Sequence, residues 1–127
     1  IASAAVADYR PAEQQSCKMK KSADRMQLEL VRNSDILADV ASQYPQVFTL
    51  CFAAETDELV NNATAKLANK KLNMIAANQV DDQGLGFDSE DNAVHVFWQG
   101  SEQQLPRMRK TELARQLIKL MAEIYAN

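Results

Sequence analysis

The chain has 127 residues, of which 46% are hydrophobic, and this is enough to form a single hydrophobic core. Its 14 basic and 17 acidic residues give a net charge of −3, which argues against nucleic acid as a partner because phosphate binding needs a basic face. The 2 cysteines provide no disulfide framework and fit the reducing cytoplasm, where we expect the protein. Residues 1–7 are apolar but too few to span a membrane, so no membrane partner is expected.

The first residues, 1–7, are small and apolar, and they predict a buried strand that Pro11 helps to end because proline cannot donate to a sheet. Small side chains at a strand end let a ligand approach the backbone. Asp8 at that position is then a candidate to bind a hydroxyl or an amine, and the alternative is an aspartate that only shapes a turn. Because the chain starts with Ile1 inside this strand, we expect it to be a piece of a longer protein.

A hairpin is predicted over residues 18–31. Lysines cluster at residues 18–21, and apolar and polar side chains alternate at residues 26–31, which is typical of a half-exposed antiparallel strand. The lysines suit either a solvated strand edge or a polyphosphate ligand. A single chain leaves the apolar face of this hairpin uncovered, so we predict a two-fold homodimer built through it.

The most apolar stretch, residues 48–55, predicts an interior strand of a parallel sheet because both of its faces are apolar. A helix over residues 57–71 and a short strand at residues 74–77 follow, which together make a βαβ unit. The two strands bring Glu55 and Asn78 to the same edge of the sheet, where ligands bind in open α/β folds. We therefore expect the functional site at that edge.

Two further features are candidates for ligand binding: helix amides that suit an anion or a polar ligand, and a pair of lysines that suits an anion. A short helix from Ser34 to about Gln43 presents backbone amides at its start, with Ser34 as the expected N-cap. Lys66 and Lys70 lie one turn apart on the longer helix. Lysine pairs of this kind are also common on exposed helix surfaces, so spacing alone leaves both interpretations open.

The last third of the chain carries weaker signals. Gly84 and Gly86 lie in a polar loop and lack the third glycine of a nucleotide fingerprint. A strand at residues 93–98 contains the single histidine, His95, with no partner acid or nucleophile nearby in sequence, and we interpret it as structural. A short strand follows at residues 104–106, and Thr111 is the expected cap of the last helix.

Several segments, in this order, resemble the phosphopantothenate–cysteine ligase family, in the form of the ligase part of bifunctional bacterial coenzyme A biosynthesis proteins. They are residues 4–11 (AAVADYRP), 18–21 (KMKK), 52–56 (FAAET), 63–70 (ATAKLANK), 77–78 (AN), 86–87 (GF) with Ser89 and Asn92, and 109–110 (RK). The resemblance implies an α/β, Rossmann-like three-layer sandwich with a mostly parallel sheet and an antiparallel hairpin used for dimerisation. Residues 1–127 would then form the second half of the ligase domain.

The resemblance also implies a reaction. In this family CTP activates the carboxylate of 4′-phosphopantothenate as an acyl-cytidylate, pyrophosphate leaves, and the amine of cysteine displaces CMP. Magnesium accompanies the triphosphate, so no protein side chain is expected to bind a metal. Because the nucleotide supplies the leaving group, the protein needs only to position the reactants and to neutralise charge.

The nucleotide contacts implied by the resemblance involve small residues, backbone amides and three lysines. They are Ala2, Ser3, Ala4, Asp8, Lys18, Ser34, Asp35, Ile36, Leu37, Phe52, Lys66 and Lys70. Residues 34–37 are expected to contribute their backbone. Lys18 is assigned to the triphosphate and to the transition state, and Asn78 to a structural role.

The chain differs from the family pattern in one respect that bears on activity. The family's N-terminal half carries a glycine-rich turn and the asparagine that handles the acyl-cytidylate, and neither is in this chain. We therefore expect the missing half, and a fused decarboxylase domain, as partners. Two alternatives stay open: a non-catalytic nucleotide-binding or dimerisation module, and an NAD-binding oxidoreductase domain, which the incomplete glycine pattern disfavours.

Overall fold

The structure of the protein is a computed structural model, which describes residues 1–4, 6–18, 24–55, 57–79 and 89–126. In chain order its elements are β1 (Tyr9–Pro11), β2 (Leu30–Arg32), α1 (Ile36–Gln43), β3 (Leu50–Glu55), α2 (Leu59–Asn69), β4 (Met74–Gln79), β5 (Asp91–Trp98), β6 (Ser101–Arg109) and α3 (Lys110–Tyr125). The α/β class predicted from the sequence is confirmed. Among the described helices, none is both long enough and apolar enough to cross a membrane.

The main sheet has four strands in the order β3-β4-β5-β6. β3 and β4 are parallel, with Leu50 opposite Met74, and α2 connects them, which confirms the predicted βαβ unit. β5 is antiparallel to both β4 and β6, so the sheet is mixed rather than mostly parallel as predicted. A parallel crossover needs roughly a dozen residues or more, usually with a helix, and only residues 80–90 separate β4 from β5.

The core lies on both faces of this sheet and explains why the first four residues of β4, residues 74–77, are all apolar. On one face, Met74 and Ala76 pack in a cluster with residues of α3 such as Leu117. On the other face, Ile75 and Ala77 pack against residues of α2 such as Ala63. Successive side chains of a strand point to opposite faces, so the unbroken apolar run serves two helix layers. The predicted three layers are therefore present.

The predicted hairpin and first strand differ from the structure. Of residues 1–7, Ala2 alone among those described pairs with the main sheet, through a parallel bridge to Cys51. β1 and β2 instead form a separate two-stranded antiparallel sheet, with Pro11 opposite Leu30. Among the described residues, the strand predicted at residues 26–31 is confined to Leu30–Arg32, and it pairs with β1. Alternation predicts a strand but does not identify its partner. Residues 19–23 and Gly84–Gly86 lie outside the described part of the chain.

All three helices begin at other residues than predicted, and α2 begins at Leu59 rather than at residue 57. The N-cap of α1 is Asp35 rather than Ser34, because the Asp35 carboxylate accepts a hydrogen bond from the Ala38 amide at 3.1 Å. The N-cap of α3 is Arg109 rather than Thr111, because β6 continues directly into the helix. The backbone amide of Lys110 donates a hydrogen bond to the backbone carbonyl of Glu90. The boundaries of helices are set by such contacts, which periodicity does not report.

His95 lies on β5 with a side chain that is 13% exposed, and its ring packs on Phe97 with centroids 4.1 Å apart. Its Nε2 is 3.3 Å from Glu102 on the neighbouring strand, but the geometry is not that of a hydrogen bond. The contacts are those of a side chain that packs within the sheet, in agreement with the structural interpretation.

The end of α2 suggests a stabilising substitution. Lys71 has φ 54, in the left-handed region, where it allows the Leu72 amide to donate to Leu67 and close the helix. Left-handed backbone costs a residue with a Cβ atom about 1 kcal/mol, and glycine largely avoids this cost. We expect Lys71→Gly to raise the free energy of unfolding in urea by about that amount, whereas Lys71→Ala keeps the Cβ atom and should change it little. Equal effects of the two substitutions would contradict this explanation.

Candidate active site

A cavity of about 640 Å³ opens along β3 on the side away from β4, and we call it the β3 cavity. Three segments enclose it: residues 1–4 and 6–8, the first residues of α1 with those before them, and the start of β3 with the residues before it. Lys70, just beyond the end of α2, completes the lining. A larger cavity of about 980 Å³ lies between the ends of α2 and α3, and its lining includes none of the predicted site residues.

The β3 cavity brings together ten of the twelve residues that the family resemblance assigns to nucleotide binding. They are Ala2, Ser3, Ala4, Asp8, Ser34, Asp35, Ile36, Leu37, Phe52 and Lys70. Lys66 and Lys18 are not among its lining residues. Residues far apart in the sequence therefore converge on one space, although the structure does not by itself assign a role to any of them.

The first wall of the cavity is held by backbone hydrogen bonds to β3. The Ala2 amide donates to the Leu50 carbonyl at 2.8 Å, and the Phe52 amide donates to the Ala2 carbonyl at 3.4 Å. This short parallel bridge places the small residues Ala2 and Ala4 along the cavity, where a ligand can approach the backbone closely. The Phe52 side chain is 43% exposed and offers an aromatic surface on the same side.

Asn33 holds the second wall and was not predicted as a site residue. Its side-chain amide donates to the Ala7 carbonyl at 2.7 Å, and its backbone amide donates to the Asp8 carbonyl at 2.8 Å. The Asn33 side-chain oxygen accepts a hydrogen bond from Arg10 at 2.9 Å. These contacts fix Asp8 next to the start of α1. The sequence signal was weak, since an asparagine before a helix is usually interpreted as part of a turn.

The two lysines on and after α2 have different surroundings. Lys66 Nζ lies 2.5 Å from Glu55 Oε1, at the carboxyl end of β3, where Glu55 is almost fully buried. Lys70 Nζ lies 2.8 Å from Asp35 Oδ2, and both residues line the β3 cavity. Both lysines thus have carboxylate partners. Spacing along the helix could not show that only Lys70 would line the cavity.

The start of α1, which the sequence predicts to bind an anion or a polar ligand, carries a negatively charged cap that takes up the Ala38 amide. The Asp35 carboxylate accepts a hydrogen bond from the Ala38 amide and also contacts Lys70. A negatively charged cap therefore already occupies the position where a ligand anion would meet the helix amides. Asp39 adds a second acidic residue in the first turn of the helix.

The Asp35–Lys70 pair gives a test by pH. The hydrogen bond from Lys70, and to a lesser degree that from the Ala38 amide, lower the pKa of Asp35 from its ordinary value of 3.8. A carboxyl whose pKa is lowered by folding stabilises the folded state in full when the pH is above the pKa that the group has in the unfolded state. This contribution is lost as the pH falls through the lowered pKa of the folded state. We expect wild type to be more stable than Asp35→Asn at pH 6, with a difference that shrinks as the pH falls below 3.8. Chemical denaturation of both proteins at a series of pH values measures this difference, and a constant difference would contradict the assignment.

Cys51 on β3 also lines the cavity. Burial raises the pKa of its thiol, which therefore stays protonated and weakly nucleophilic at neutral pH. Its thiol contacts the Phe52 carbonyl at 3.2 Å. Cys51 is half-buried and forms no disulfide.

Two further predicted residues lie outside the cavity lining. Lys18 is exposed and lies in the connection between β1 and β2. Asn78 lies on β4 opposite Ala54, where a structural role agrees with its place in the sheet. In the described part of the chain, no three His, Cys, Asp or Glu side chains come close enough together to hold a metal ion.

Comparison with known proteins gives a consistent result. The family model for the DNA/pantothenate metabolism flavoprotein C-terminal domain matches residues 1–125. The coenzyme A biosynthesis bifunctional protein CoaBC of Vibrio parahaemolyticus is 45% identical over 127 residues, which cover 98% of this chain and 32% of that protein. CoaBC of Bacillus subtilis is 37% identical over 125 residues, which cover 98% of this chain and 31% of that protein. The chain thus spans about a third of the length of these relatives.

Solved structures agree with these matches. A crystal structure of the C-terminal domain of CoaBC superposes with a TM-score of 0.70 at 32% identity, covering 98% of this chain and 53% of that one. A DNA/pantothenate metabolism flavoprotein from Streptococcus pneumoniae superposes with a TM-score of 0.68 at 18% identity, covering 95% of this chain and 58% of that one, which supports the fold alone. The resemblance drawn from the residues is confirmed: the chain belongs to the DNA/pantothenate metabolism flavoprotein C-terminal domain family, and it corresponds to the C-terminal part of the CoaBC proteins.

Proposed function

We propose that the chain binds CTP as part of a phosphopantothenate–cysteine ligase in coenzyme A biosynthesis. The ligase condenses 4′-phosphopantothenate with cysteine through an acyl-cytidylate. The observation that carries the proposal is that ten residues assigned to the nucleotide by family resemblance line one cavity of about 640 Å³. The relatives bear the name of coenzyme A biosynthesis proteins, which supports the pathway.

The β3 cavity has properties that suit a nucleotide. Its volume is within the range of about 300–1,000 Å³ that is usual for small-molecule sites. Phe52 offers a ring face on which a base can stack, and small residues at positions 2–4 leave room beside the backbone. Magnesium would be bound through the triphosphate, as an ion of the substrate.

The residues of this chain would act mainly by placing positive charge near the phosphates of the nucleotide. In the first step, the pantothenate carboxylate attacks the α-phosphorus of CTP, the bond to the bridging oxygen breaks, and pyrophosphate carries away the negative charge. We assign Lys18 to this pyrophosphate because a fixed cation stabilises charge that develops as the bond breaks. Lys18 lies outside the cavity lining, so it would reach the nucleotide through movement of its own segment or from the second subunit of a dimer.

The proposal includes partners that this chain does not contain. Because the chain spans about a third of its relatives, the first half of the ligase domain would supply the rest of the site, with a decarboxylase domain fused to it. We place the complete protein in the cytoplasm, where the cysteine usage fits a reducing environment.

A homodimer is part of the same proposal. Four large apolar side chains on and before the β1–β2 ribbon are more than half exposed: Tyr9, Met26, Leu28 and Leu30. Such a surface is suited to bury itself against a second copy. We expect light scattering to give the mass of a dimer, and Leu28→Asp to shift the mass towards that of the monomer. Wild type that remains monomeric at high concentration would contradict this proposal.

Ligand protection tests the function against its alternatives. We expect CTP with magnesium to raise the midpoint of thermal unfolding of the complete protein, because a ligand that binds only the folded state stabilises it. NADH should have no such effect. Protection by NADH instead would favour an oxidoreductase domain, and no protection by either ligand would favour a pure interaction module.

A further inference from the structure

The β1–β2 ribbon lies apart from the main sheet. In the part of the chain that the structure describes, its two strands form a sheet of their own. Backbone hydrogen bonds extend the pairing at both ends, from the Ala12 amide to the Glu29 carbonyl at 2.9 Å and from the Asn33 amide to the Asp8 carbonyl at 2.8 Å. A ribbon of two strands is at best marginally stable in water by itself. Its orientation therefore depends on the place where it joins the rest of the chain.

Two polar side chains form a junction at that place. Asn33 Nδ2 donates to the Ala7 carbonyl at 2.7 Å, and Asn33 Oδ1 accepts a hydrogen bond from Arg10 at 2.9 Å. The same guanidinium nitrogen of Arg10 donates to the Arg32 carbonyl at 3.2 Å. Asn33 thus bonds with one end of its amide to a residue that lines the β3 cavity and with the other end to the ribbon. We call Ala7, Arg10 and Asn33 the ribbon junction.

The chemistry of Asn33 is matched to this position. Its amide carries a donor and an acceptor, and the ribbon junction uses both. An aspartate would place a carboxylate against the Ala7 carbonyl, and an alanine would offer neither group. Because Arg10 is charged, its hydrogen bond to Asn33 is stronger than one between neutral groups. The side chain of Asn33 therefore does more than shape the turn before α1.

The ribbon junction lies between two parts of the proposed ligase. On one side, Asp8 lines the β3 cavity. On the other side, Lys18 follows six residues after Ala12, the last residue of β1 and its extension that pairs across the ribbon in the described part of the chain. Six residues span at most roughly 20 Å. The direction in which the ribbon leaves the cavity therefore determines which positions the Lys18 ammonium can reach.

We propose that Asn33 is a positioning residue that fixes the ribbon, and with it Lys18, relative to the β3 cavity. The inference rests on the proposed function, since it assumes that Lys18 acts on a nucleotide in this cavity. It also distinguishes Asn33 from the residues that contact the nucleotide. Loss of the Asn33 side chain should lower the rate of acyl-cytidylate formation and nearly preserve the affinity for CTP, because the Asn33 backbone amide still holds the Asp8 carbonyl.

The test is a double-mutant cycle between Asn33 and Lys18 in the complete ligase. Single-turnover formation of the acyl-cytidylate from CTP, magnesium and 4′-phosphopantothenate gives the saturating rate, and calorimetry gives the affinity for CTP. We expect Asn33→Ala to lower the saturating rate roughly tenfold or more, since small displacements of a reacting group are costly. In Lys18→Ala, the same substitution should have little further effect on the rate, because the side chain that Asn33 positions is gone.

Arg10→Met breaks the ribbon junction from the side of the ribbon and should give the same pattern. It carries the test alone if Asn33→Ala does not fold, and unfolding midpoints show which variants are folded. Arg115→Met is the matched control, because the Arg115 side chain is 78% exposed on α3, and it should alter neither the rate nor the affinity.

Three results for folded variants would overturn the inference while CTP still binds to the wild-type ligase. The first is a saturating rate of Asn33→Ala equal to that of wild type. The second is a loss of rate by the same factor with and without Lys18, which is expected of a residue that acts independently of Lys18. The third is a loss of CTP affinity with an intact saturating rate, which would make Asn33 part of the nucleotide site. Failure of the wild-type ligase to bind CTP would refute the proposed function itself, so the two failures are distinguishable.

Discussion

Replacing Lys18 by alanine in the complete ligase should slow acyl-cytidylate formation about a hundredfold or more at saturating CTP. Negative charge moves onto the departing pyrophosphate as the carboxylate attacks the α-phosphorus. A lysine fixed against that pyrophosphate stabilises the transition state more than the bound substrate, so its loss lowers the rate more than the affinity. Lys66→Ala and Lys70→Ala should instead raise the CTP concentration that is needed, because the family resemblance assigns both side chains to nucleotide contacts that are equal in both states. Lys66 lies outside the lining of the β3 cavity and would make this contact by leaving Glu55.

The measurement is single-turnover formation of the acyl-cytidylate against CTP concentration for the three variants. Lys119→Ala is the matched control, since Lys119 is exposed on α3 and has no proposed part in the reaction. If Lys18→Ala merely raises the required CTP concentration and leaves the saturating rate intact, Lys18 is a binding lysine and the assignment of its role is wrong.

Replacing Ile75 by alanine should cost about 2–5 kcal/mol of folding free energy. Ile75 is fully buried on β4, in the cluster with Ala63 of α2 and Phe97 of β5. Its truncation leaves a cavity between the sheet and the helix that close-packed neighbours cannot fill. Because β4 pairs with β3 along its whole length, loss of this packing also weakens the strand that forms the floor of the β3 cavity.

Urea denaturation of wild type and Ile75→Ala measures the cost. Val60→Ala on α2 is the control, because the Val60 side chain is 46% exposed and its truncation should cost less than about 1 kcal/mol. Equal costs for the two substitutions would mean that the cluster beneath α2 does not carry the stability assigned to it.

The parts of the fold that could be predicted are those whose sequence pattern reflects burial. The apolar runs at β3 and β4 indicated two parallel strands, and the stripe on α2 indicated a helix packed on them. β4 is an interior strand as predicted, but β3 lies at the edge of the four-stranded sheet, where the prediction of an interior strand was wrong. Pairing between distant segments leaves no such pattern. Hence residues 1–7 looked like a strand, whereas Ala2 alone among those described bridges to β3. The alternation before Arg32 also gave no indication that β1 was its partner.

The residues of the candidate site also fall into those that could be predicted from the sequence and those that could not. Family resemblance assigned twelve residues from separate segments to one site, and the structure brings ten of them, from four segments, to one cavity. The groups that hold the cavity in shape were not foreseen. Asn33 binds the Ala7 carbonyl, a residue 26 positions away, and Asp35 binds Lys70 across two helices. Both contacts depend on how elements pack, and a single sequence has no periodicity that reports them.

The most direct measurement of the central claim is CTP binding to a protein in which the β3 cavity is filled. Ala4 lines the cavity with a small, exposed side chain, so Ala4→Trp should block it without disturbing the core. Ala122→Trp places the same side chain on the exposed face of α3 as a control. By calorimetry, we expect the complete ligase and Ala122→Trp to bind CTP with magnesium, and Ala4→Trp to lose binding while its unfolding midpoint stays close to that of wild type. Undiminished CTP binding by a folded Ala4→Trp would contradict the claim that this cavity is the nucleotide site.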